Sequence, residues 1–308
     1  NNMGLTKEIW RQDIVELLFP SNEFANYAVN ADQFVLAGTV VHKPVAGAAS
    51  TVTKNLSSFP QTATQRTDSE LTCALDTYYA LPRVIKNIDA YELSYDKRMS
   101  VVGGDVKNLV NTVHKGMLYN WAPAVAKTIL TSGADSAEDL IDTTATGTRK
   151  LFTKTEFKKV AKNLNKNDLV GMNYGCLTAA HYHQFFESLS DAEKTNFGKV
   201  ADLAKGIVGE YMGIKILMRS SVLRYRGTDE AMVPVDETAE AFAATAADRA
   251  ASLFWNEQSV ERALGAVETF DDPGNPLYYG DVWSANVRAG GKIIRTAGVW
   301  AVVEAIGA

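Results

Sequence analysis

Histidine and cysteine are the side chains of this chain most able to bind a metal ion or act as a nucleophile. His181 and His183 are two residues apart, and this spacing turns their rings to opposite sides of a helix, so they cannot form a zinc pair. Cys73 and Cys176 lie in apolar stretches far apart in sequence, which predicts two buried small side chains. Cysteine used this sparingly suits a reducing compartment. The other histidines have no ligand cluster nearby in sequence, and we predict no metal site.

Glycine-rich and acidic segments are the next candidates for a catalytic or nucleotide-binding site. Gly206, Gly209 and Gly213 lack the spacing of a dinucleotide-binding loop, and no lysine-serine pair follows them. No Gly-x-Ser-x-Gly motif occurs. Acidic pairs such as Asp271 and Asp272 are typical of solvated turns. We therefore predict no catalytic residue and no cofactor, and a hydrolase or oxidoreductase has no support in the sequence.

Composition and charge limit the class of protein. The chain has 308 residues, of which 46% are hydrophobic and 22% charged, as in a folded globular protein. This length fits two domains or one interleaved two-lobed body. Without a long apolar run or a signal peptide, we expect no membrane partner. The net charge is −5 with scattered basic residues, which argues against a specific nucleic-acid reader but allows a container that holds DNA.

Residues 5–19 predict an amphipathic N-terminal helix. Its apolar face carries Trp10, Ile14 and Leu17, with Leu18 beside them. This face can pack on its own domain or on a neighbouring subunit, and the sequence leaves both arrangements open. We therefore take Trp10, Ile14 and Leu17 as candidates for contacts between subunits.

Two segments rich in β-branched or alternating residues, 34–42 and 69–80, predict strands that pair as a hairpin. The stretch between them is polar and far longer than an ordinary hairpin loop, which fits a long β-arm. This arm carries Lys43, Lys54 and Arg66 with few acids, while the whole chain is acidic. We predict that these three residues contact a neighbouring subunit through weak ion pairs.

A long helix is predicted from residue 95 to residue 130, because apolar side chains recur there every three or four residues. If unbroken it would be about 50 Å long. Gly103–Gly104 and Pro123 are the expected weak or kinked points. The side chains predicted to face the core are Leu109, Val113, Met117 and Trp121.

A mixed α/β lobe is predicted after this helix. Residues 133–150 are a loop, and Thr153 with Glu156 forms a capping box ahead of a helix. The following elements are a strand at 168–174, a helix at 175–189 and a strand at 213–223. The alanine-rich tract 236–250 fits either a loop or a helix. The C-terminal β-type runs are ASLFWN, ALGAVETF, NVRAGGKIIRT and GVWAVVEA.

In chain order the predicted elements are an N-terminal helix, a long β-arm, one spine helix, a mixed α/β lobe and C-terminal strands. In this order of elements and in its amino-acid sequence, the chain resembles the major capsid proteins of tailed bacteriophages, which have the Hong Kong 97 fold. The likeness is spread over most of the chain. The segments that carry it are VVHKPVAGAASTVTKN, TQRTDSELTCALDTYYALPRVI, DAYELSYDKRMSVVGGDVKNLVNTV, FWNEQSVERALGAVETF and YYGDVWSANVRAGGKIIRTAGVWAVV.

The resemblance implies an α+β, Hong Kong 97-like capsid fold with five parts: an N-terminal arm, an extended β-hairpin loop, a long spine helix, a peripheral domain and a mixed α/β axial domain. The implied boundaries are 1–33 for the arm, 34–82 for the extended loop, 83–134 with 268–308 for the peripheral domain and 135–267 for the axial domain. Some members cross-link a lysine of the extended loop to a neighbour. Lys54 would be that lysine, but no partner motif is present, and we do not predict the cross-link.

For function, the resemblance implies a structural protein that self-assembles into hexamers and pentamers of an icosahedral shell around double-stranded phage DNA. Its main partner would be itself, with scaffolding, portal and decoration proteins as further candidates, and DNA would be enclosed without sequence-specific binding. The expected location is the virion, assembled in the host bacterial cytoplasm. The alternative is an encapsulin-type nanocompartment shell, which shares the fold but encloses an enzyme cargo.

Overall fold

The structure is a computed structural model that describes residues 14, 16–18, 23–36, 40–45, 52–55, 57, 65, 69–86, 97–167 and 169–307. Residues 14 and 16–18 are helical, and the α-helices with defined ends are α1 Lys97–Asn120, α2 Lys154–Asn165, α3 Ala179–Glu187 and α4 Asp191–Gly198. The strands are β1 Val29–Asn30, β2 Val35–Leu36, β3 Val40–Val45, β4 Ser69–Ala74, β5 Asp76–Lys86, β6 Thr128–Leu130, β7 Asp135–Ser136, β8 Arg149–Lys150, β9 Asn173–Thr178, β10 Ile207–Tyr211, β11 Ile214–Arg219, β12 Leu223–Gly227, β13 Met232–Pro234, β14 Asp248–Asn256, β15 Val260–Asn275, β16 Gly280–Ile293 and β17 Val299–Val303. Short 3-10 helices occupy Phe24–Tyr27, Asp32–Phe34, Val125–Lys127, Leu203–Lys205 and Thr296–Gly298.

Two main sheets organise the described part of the chain. A four-stranded sheet has the order β1-β15-β16-β5, and an eight-stranded sheet has the order β10-β11-β9-β14-β12-β13 with β17 and β6 added beside β14. Helix α1 packs on β16 and β5, while α2, α3 and α4 pack on strands of the larger sheet. One apolar cluster contains side chains from both sheets, so the two sheets share a core. Among the described residues, no helix is long and apolar enough to span a membrane.

Helix α1 is shorter than the sequence predicted. It ends at Asn120, and the backbone N–H of Trp121 closes its last turn. Pro123 explains this end, because a proline disfavours helical backbone at the preceding residue. Val125 and Ile129, predicted to be in the helix, lie instead in a 3-10 helix and in β6.

The core-facing side of α1 is as predicted. Gly103–Gly104, expected to be a weak point, lies within the helix. Gly116 allows close approach of β5, because the Tyr78 hydroxyl occupies the space that a Cβ at Gly116 would need. The predicted core side chains are all buried: Leu109, Val113, Met117 and Trp121.

Two elements of the middle lobe lie later in the chain than predicted. The strand predicted at 168–174 is β9, which begins only at residue 173, and the helix predicted at 175–189 begins at residue 179. Gly175 therefore lies in a strand, where the ring of Phe254 fills the space that a Cβ would need. Thr178 caps α3 with its side chain. Pairing of β9 with β14 overrides the local sequence pattern here.

Other predictions for the middle lobe are confirmed or refined. Thr153 and Glu156 form the capping box: the Thr153 backbone N–H and hydroxyl donate to Glu156 Oε2 at 2.9 and 2.7 Å. The strand predicted at 213–223 is divided between β11 and the start of β12. Residues 236–247 of the alanine-rich tract form a loop, and residues 248–250 are the start of β14.

The C-terminal strands form as predicted but belong to two sheets. β15 and β16 make a long antiparallel hairpin in the four-stranded sheet. β17 pairs with β14 and β6 in the eight-stranded sheet. Ala301 and Val303 enter the core shared with the smaller sheet, while Val302 enters a second core under α2, α3 and α4. Burial on both faces explains why β17 is an interior strand.

The arm is a three-stranded antiparallel sheet in the order β2-β3-β4. Pairing of β3 with β4 confirms the predicted hairpin. The segment 34–42 contains two strands rather than one, and 69–80 is divided at Leu75 between β4 and β5. The division at Leu75 has a clear cause, because β4 pairs with β3 whereas β5 pairs with β16. Most of the connection 46–68 lies outside the described residues.

Candidate assembly surface

The basic residues predicted to contact a neighbour lie on the arm. Lys54 is an exposed turn residue. Lys43 belongs to β3, and Arg66 lies outside the described residues. The structure therefore leaves Lys54 accessible to a second molecule.

The N-terminal helix packs on its own subunit through the residues that can be described. Ile14 and Leu18 are fully buried in the shared core, so Ile14 is not available as a contact between subunits. Leu17 is 41% exposed and remains available. Trp10 lies outside the described residues. Of the two arrangements that the sequence left open, the described part of this helix adopts the first.

Polar contacts fix the same N-terminal segment to the spine helix and to the larger sheet. His114 on α1 is buried, and its Nε2 lies 2.7 Å from the Leu18 carbonyl oxygen, to which it donates. Glu23 forms an ion pair with Arg219 of β11, and its carboxylate lies 3.7 Å from His114 Nδ1. Burial lowers the pKa of His114, which favours the neutral ring in this contact. Phe24 packs edge-on against the His114 ring.

The four-stranded sheet exposes large apolar side chains in two places. On β5, Tyr79 and Leu81 are 69% and 78% exposed. At the turn between β15 and β16, Leu277 and Tyr279 are 81% and 82% exposed. Clusters of exposed apolar residues on a folded protein mark contact surfaces more often than single ones do. These two places are the candidate contact surfaces of this sheet.

The turn between β15 and β16 has a defined conformation. Tyr279 has a φ of +52°, a region that costs energy for a tyrosine. Side-chain acceptors hold the turn in place: Asn275 Oδ1 accepts from Leu277 N at 2.9 Å, and Asp281 Oδ1 accepts from Gly274 N at 2.9 Å. The exposed apolar side chains are therefore presented by an ordered turn.

A serine, a histidine and a carboxylate meet inside the larger sheet. Ser252 Oγ lies 2.7 Å from His181 Nδ1, and His181 Nε2 lies 3.5 Å from Glu304 Oε1. Glu304 also accepts from the backbone N–H of Ala250 at 3.1 Å. The three side chains are buried, with at most 3% exposure, so no substrate reaches Ser252 in this conformation. The cluster links α3, β14 and the residue that follows β17.

Sequence reasoning did not find this cluster, because its members come from three distant segments. It considered His181 only with His183, as metal ligands. Among the described residues, no group of three or more histidine, cysteine or acidic side chains is placed to hold a metal ion. Cys176 is fully buried, and burial raises the pKa of its thiol to about 12, as expected for an inert cysteine. Cys73 is only partly buried.

An ionic cluster joins α1 to the loops at one end of the larger sheet. Arg224 donates to Glu237 at 2.7 Å, to Asp142 at 2.7 Å and to Asp248 at 2.9 Å. Lys115 on α1 donates to Glu237 at 2.9 Å. The three acidic partners of Lys115 and Arg224 come from separate parts of the chain, so the cluster fixes the spine helix relative to the sheet.

The carboxylate at the centre of this cluster is fully satisfied. Asp248 is completely buried and accepts from Arg226 Nε at 2.6 Å. It also accepts from the backbone N–H and the hydroxyl of Thr245 at 3.0 and 2.8 Å. A buried charge is tolerated only with partners of this kind.

Hydrogen bonds lower the pKa of the three carboxyl groups. For Asp142, bonds from Thr144 and then from Arg224 lower the pKa to about 2. For Glu237 and Asp248, burial alone would raise the pKa, but the hydrogen bonds outweigh burial and the pKa is lowered. The cluster therefore keeps its charges well into the acidic range.

No protein-family model and no curated protein matches this chain. Solved structures do match, over nearly the whole chain. A structure from Mycobacterium phage Che8 has a TM-score of 0.59 and 16% identity, covering 91% of this chain and 90% of the other. The capsid of cyanophage P-SCSP1u has a TM-score of 0.61 and 16% identity, covering 89% and 85%. A virus-like particle from Pyrococcus furiosus has a TM-score of 0.56 and 8% identity, covering 96% and 99%.

These similarities cover about nine-tenths or more of this chain rather than one short motif. At such low identity they show the fold. The chain has the mixed α/β fold of phage capsid proteins.

Proposed function

We propose that this chain is the major capsid protein of a tailed bacteriophage, with the Hong Kong 97 fold. It self-assembles into hexamers and pentamers of an icosahedral shell that encloses double-stranded DNA, and it performs no catalysis. The observation that carries the proposal is the fold shared with phage capsid structures over about nine-tenths of both chains. The ordered exposed apolar surfaces of the four-stranded sheet support it, because a shell subunit needs such surfaces on a soluble monomer.

The proposed domain boundaries follow the resemblance: an N-terminal arm at 1–33, an extended loop at 34–82, a peripheral domain at 83–134 with 268–308, and an axial domain at 135–267. The pairing of β2, β3 and β4 supports the extended loop. The position of β17 favours one change, since this strand belongs to the eight-stranded sheet of the axial domain.

Further copies of the chain are its main partner in this proposal. Head-to-tail contacts between copies would close into rings, as such contacts do when the rotation is complete. Scaffolding, portal and decoration proteins are the other partners we propose, in a virion assembled in the bacterial cytoplasm. The net charge of −5 fits a shell that encloses DNA without binding its phosphates specifically.

The alternative is an encapsulin-type nanocompartment shell. The observation that favours this alternative is the structural similarity to the Pyrococcus furiosus virus-like particle. Negative-stain electron microscopy of the purified protein tests both shell functions. Uniform icosahedral particles are expected, and a monomer under all assembly conditions would contradict both. Particles from the natural source that hold DNA support the capsid, whereas particles that hold a protein cargo support the nanocompartment.

A deletion tests the role of the arm. Removing residues 45–64 takes away polar sequence that cannot build a core of its own, so the subunit should fold and melt as before. It should assemble poorly, as measured by light scattering and electron microscopy. Normal shells from the deleted protein would remove the arm from the assembly mechanism.

A further inference from the structure

Helix α2 concentrates positive charge on an otherwise acidic chain. Basic residues are scattered over the chain as a whole, but residues 154–166 contain five lysines and a single acidic residue, Glu156. Glu156 is fully buried in the capping box and adds no charge to the surface of the helix. The lysines are Lys154, Lys158, Lys159, Lys162 and, at the C-cap, Lys166.

The lysines of α2 lie opposite its buried face. A helix turns by about 100° per residue, so the five lysines fall within about 140° of its circumference. On the other side, Phe157, Val160 and Leu164 are buried in the core under α2, α3 and α4. With a rise of about 1.5 Å per residue, the row from Lys154 to Lys166 is about 18 Å long. The helix therefore presents a straight, basic face to the outside of the subunit.

Little acidic charge neutralises this face within the described residues. Lys154 forms an ion pair with Glu193 at 3.3 Å. The other four lysines are exposed and have no ion pair with a described residue. Like charges four residues apart on a helix repel each other and destabilise it, as for Lys158 with Lys162 and Lys162 with Lys166. A polyanion bound along the face would relieve this repulsion.

The basic surface continues beyond the C-terminal end of α2. Asn167 donates to the carbonyl oxygen of Ala297 at 3.1 Å, and the exposed Arg295 lies two residues before Ala297. Arg295 has no ion pair with a described residue. Asp168, the acidic residue that follows the row in sequence, lies outside the described residues.

We infer that the lysine face of α2 binds the phosphates of the double-stranded DNA that the shell encloses. The inference rests on the proposed capsid function and adds the surface of the subunit that meets the DNA. Lysine side chains are flexible point charges, and contacts with phosphate carry no information about base sequence. Such a face binds any duplex. It is compatible with an acidic chain, because binding depends on the local charge rather than on the total charge.

The composition of the face favours DNA over a neighbouring protein subunit. Lysine is depleted in protein–protein interfaces, whose centres are apolar, whereas protein–DNA interfaces are polar and strongly positive. No large apolar side chain of residues 154–166 is exposed. Duplex DNA carries one negative charge per about 1.7 Å of its axis, so a length equal to the row carries about ten phosphates.

Binding of the dissociated subunit to a fluorescently labelled duplex of mixed sequence tests the inference without a shell. At low salt, of about 50 mM, the affinity should fall about tenfold or more when four lysines of α2 are neutralised together. The slope of log K against log salt should become shallower by about 3, because each phosphate contact contributes about 0.9. The four substitutions are Lys158→Gln, Lys159→Gln, Lys162→Gln and Lys166→Gln.

The matched control makes the same change of charge at four exposed lysines elsewhere and should keep the wild-type slope. Its substitutions are Lys86→Gln, Lys107→Gln, Lys199→Gln and Lys205→Gln. Neither variant should melt at a lower temperature than the wild type, because all eight side chains are exposed. The α2 variant should also assemble at the wild-type rate in the absence of DNA. Equal losses of affinity in the two variants would overturn the inference, since net charge alone would then explain the binding.

Acetylation of lysine side chains by an activated ester, read by mass spectrometry, locates the contact in the particle. Three states are compared: the dissociated subunit, particles emptied of DNA and particles filled with DNA. Lys158, Lys159, Lys162 and Lys166 should be protected several-fold in filled particles only. Protection in both kinds of particle would assign the face to a neighbouring subunit, and equal reaction in all three states would make it a solvated surface. Either result would overturn the inference and leave the capsid function intact. If no particles form, the capsid function fails, and the duplex titration still decides whether the face binds DNA.

Discussion

The two sheets of this protein differ in how far their apolar side chains are buried. In the eight-stranded sheet, every residue of β14 is buried, because one face packs on the core shared with the smaller sheet and the other packs under α2, α3 and α4. In the four-stranded sheet, α1 covers one face, while β5 and the β15–β16 turn expose Tyr79, Leu81, Leu277 and Tyr279.

This difference in burial suggests that one region of the chain determines the stability of the subunit and another determines its assembly. The larger sheet holds buried charges together in the Arg224 cluster, and every residue of its strand β14 is buried. Within the described residues, the smaller sheet leaves the outer edge of β5 without a paired strand and exposes an apolar turn between β15 and β16. Changes in the buried region should therefore alter the stability of the subunit, whereas changes on the exposed region should alter assembly and leave stability almost unchanged.

The largest expected effect is that of Trp121→Ala on stability. Trp121 is fully buried, donates from Nε1 to the Glu261 carbonyl at 2.9 Å and packs against Phe24 and Trp255. Truncating a buried tryptophan costs about 3 to 5 kcal/mol. We expect this loss in the free energy of unfolding of the dissociated subunit, measured by urea denaturation, with a lower soluble yield.

The matched control for Trp121→Ala is Tyr279→Ala, an aromatic truncation on the exposed turn. Its expected effect on the free energy of unfolding is within about 0.5 kcal/mol, as for most surface substitutions. Equal losses from the two variants would contradict the division between a folding region and an assembly region.

A smaller loss in the free energy of unfolding is expected from Glu237→Gln. The substitution keeps the size of a side chain that accepts from Lys115 and Arg224 but removes its charge. Hydrogen bonds to charged groups contribute about 1.5 to 3 kcal/mol, so a loss of that order is expected in urea denaturation. Glu240→Gln, three residues further along and exposed, should change the unfolding free energy little. If the two variants lose equal stability, the Arg224 cluster does not hold α1 against the sheet.

The elements predicted well from sequence are those specified by neighbouring residues. The capping box of Thr153 and Glu156 and the apolar face of α1 both depend on spacings of three or four residues. The predictions that were wrong depended on distant partners. β9 starts later than predicted because it pairs with β14.

The candidate surface was only partly predictable for the same reason. The positive charge of the arm is a property of composition, so Lys54 could be named from sequence. The exposed apolar side chains of β5 could not, because among the described residues β5 is an edge strand only as a result of the order β1-β15-β16-β5. Ile14 shows the opposite error: an apolar helix face indicates burial, but it does not indicate in which subunit.

The acid stability of the subunit provides the next test. The pKa values of Asp142, Glu237 and Asp248 are lowered in the folded protein, to about 2 for Asp142. Between about pH 4 and pH 2 the unfolded chain therefore binds more protons than the folded one at these sites. The contribution of these three carboxyl groups to the stability of the subunit is complete above their pKa values in the unfolded chain, near pH 4. It is lost as the pH falls through their lower pKa values in the folded protein.

Asp142→Asn should flatten this dependence. We expect the melting temperature of the dissociated subunit to fall less steeply from pH 4.5 to pH 2.5 in the variant than in the wild type, by differential scanning calorimetry. Asp139→Asn, an exposed change in the same loop, is the control and should keep the wild-type slope. Identical slopes for the wild type and Asp142→Asn would mean that Asp142 titrates like a solvated carboxylate.

The smallest expected effect per contact is that of the charge on the arm. Exposed ion pairs contribute only about 0.2 to 1 kcal/mol each and weaken with salt, and a shell that corrects misplaced subunits needs contacts that are individually weak. Repetition around the shell makes small losses measurable in assembly. Lys54→Glu combined with Arg66→Glu should therefore delay or block shells at low salt and have less effect at high salt, followed by light scattering. The control is Lys158→Glu combined with Lys159→Glu, the same change of charge at two exposed positions on α2, in the region that we assign to folding. An equal delay of assembly in both double variants would mean that the effect comes from the net charge of the subunit. Wild-type assembly rates for the arm variant at both salt concentrations would mean that the arm binds its neighbour through apolar or main-chain contacts alone.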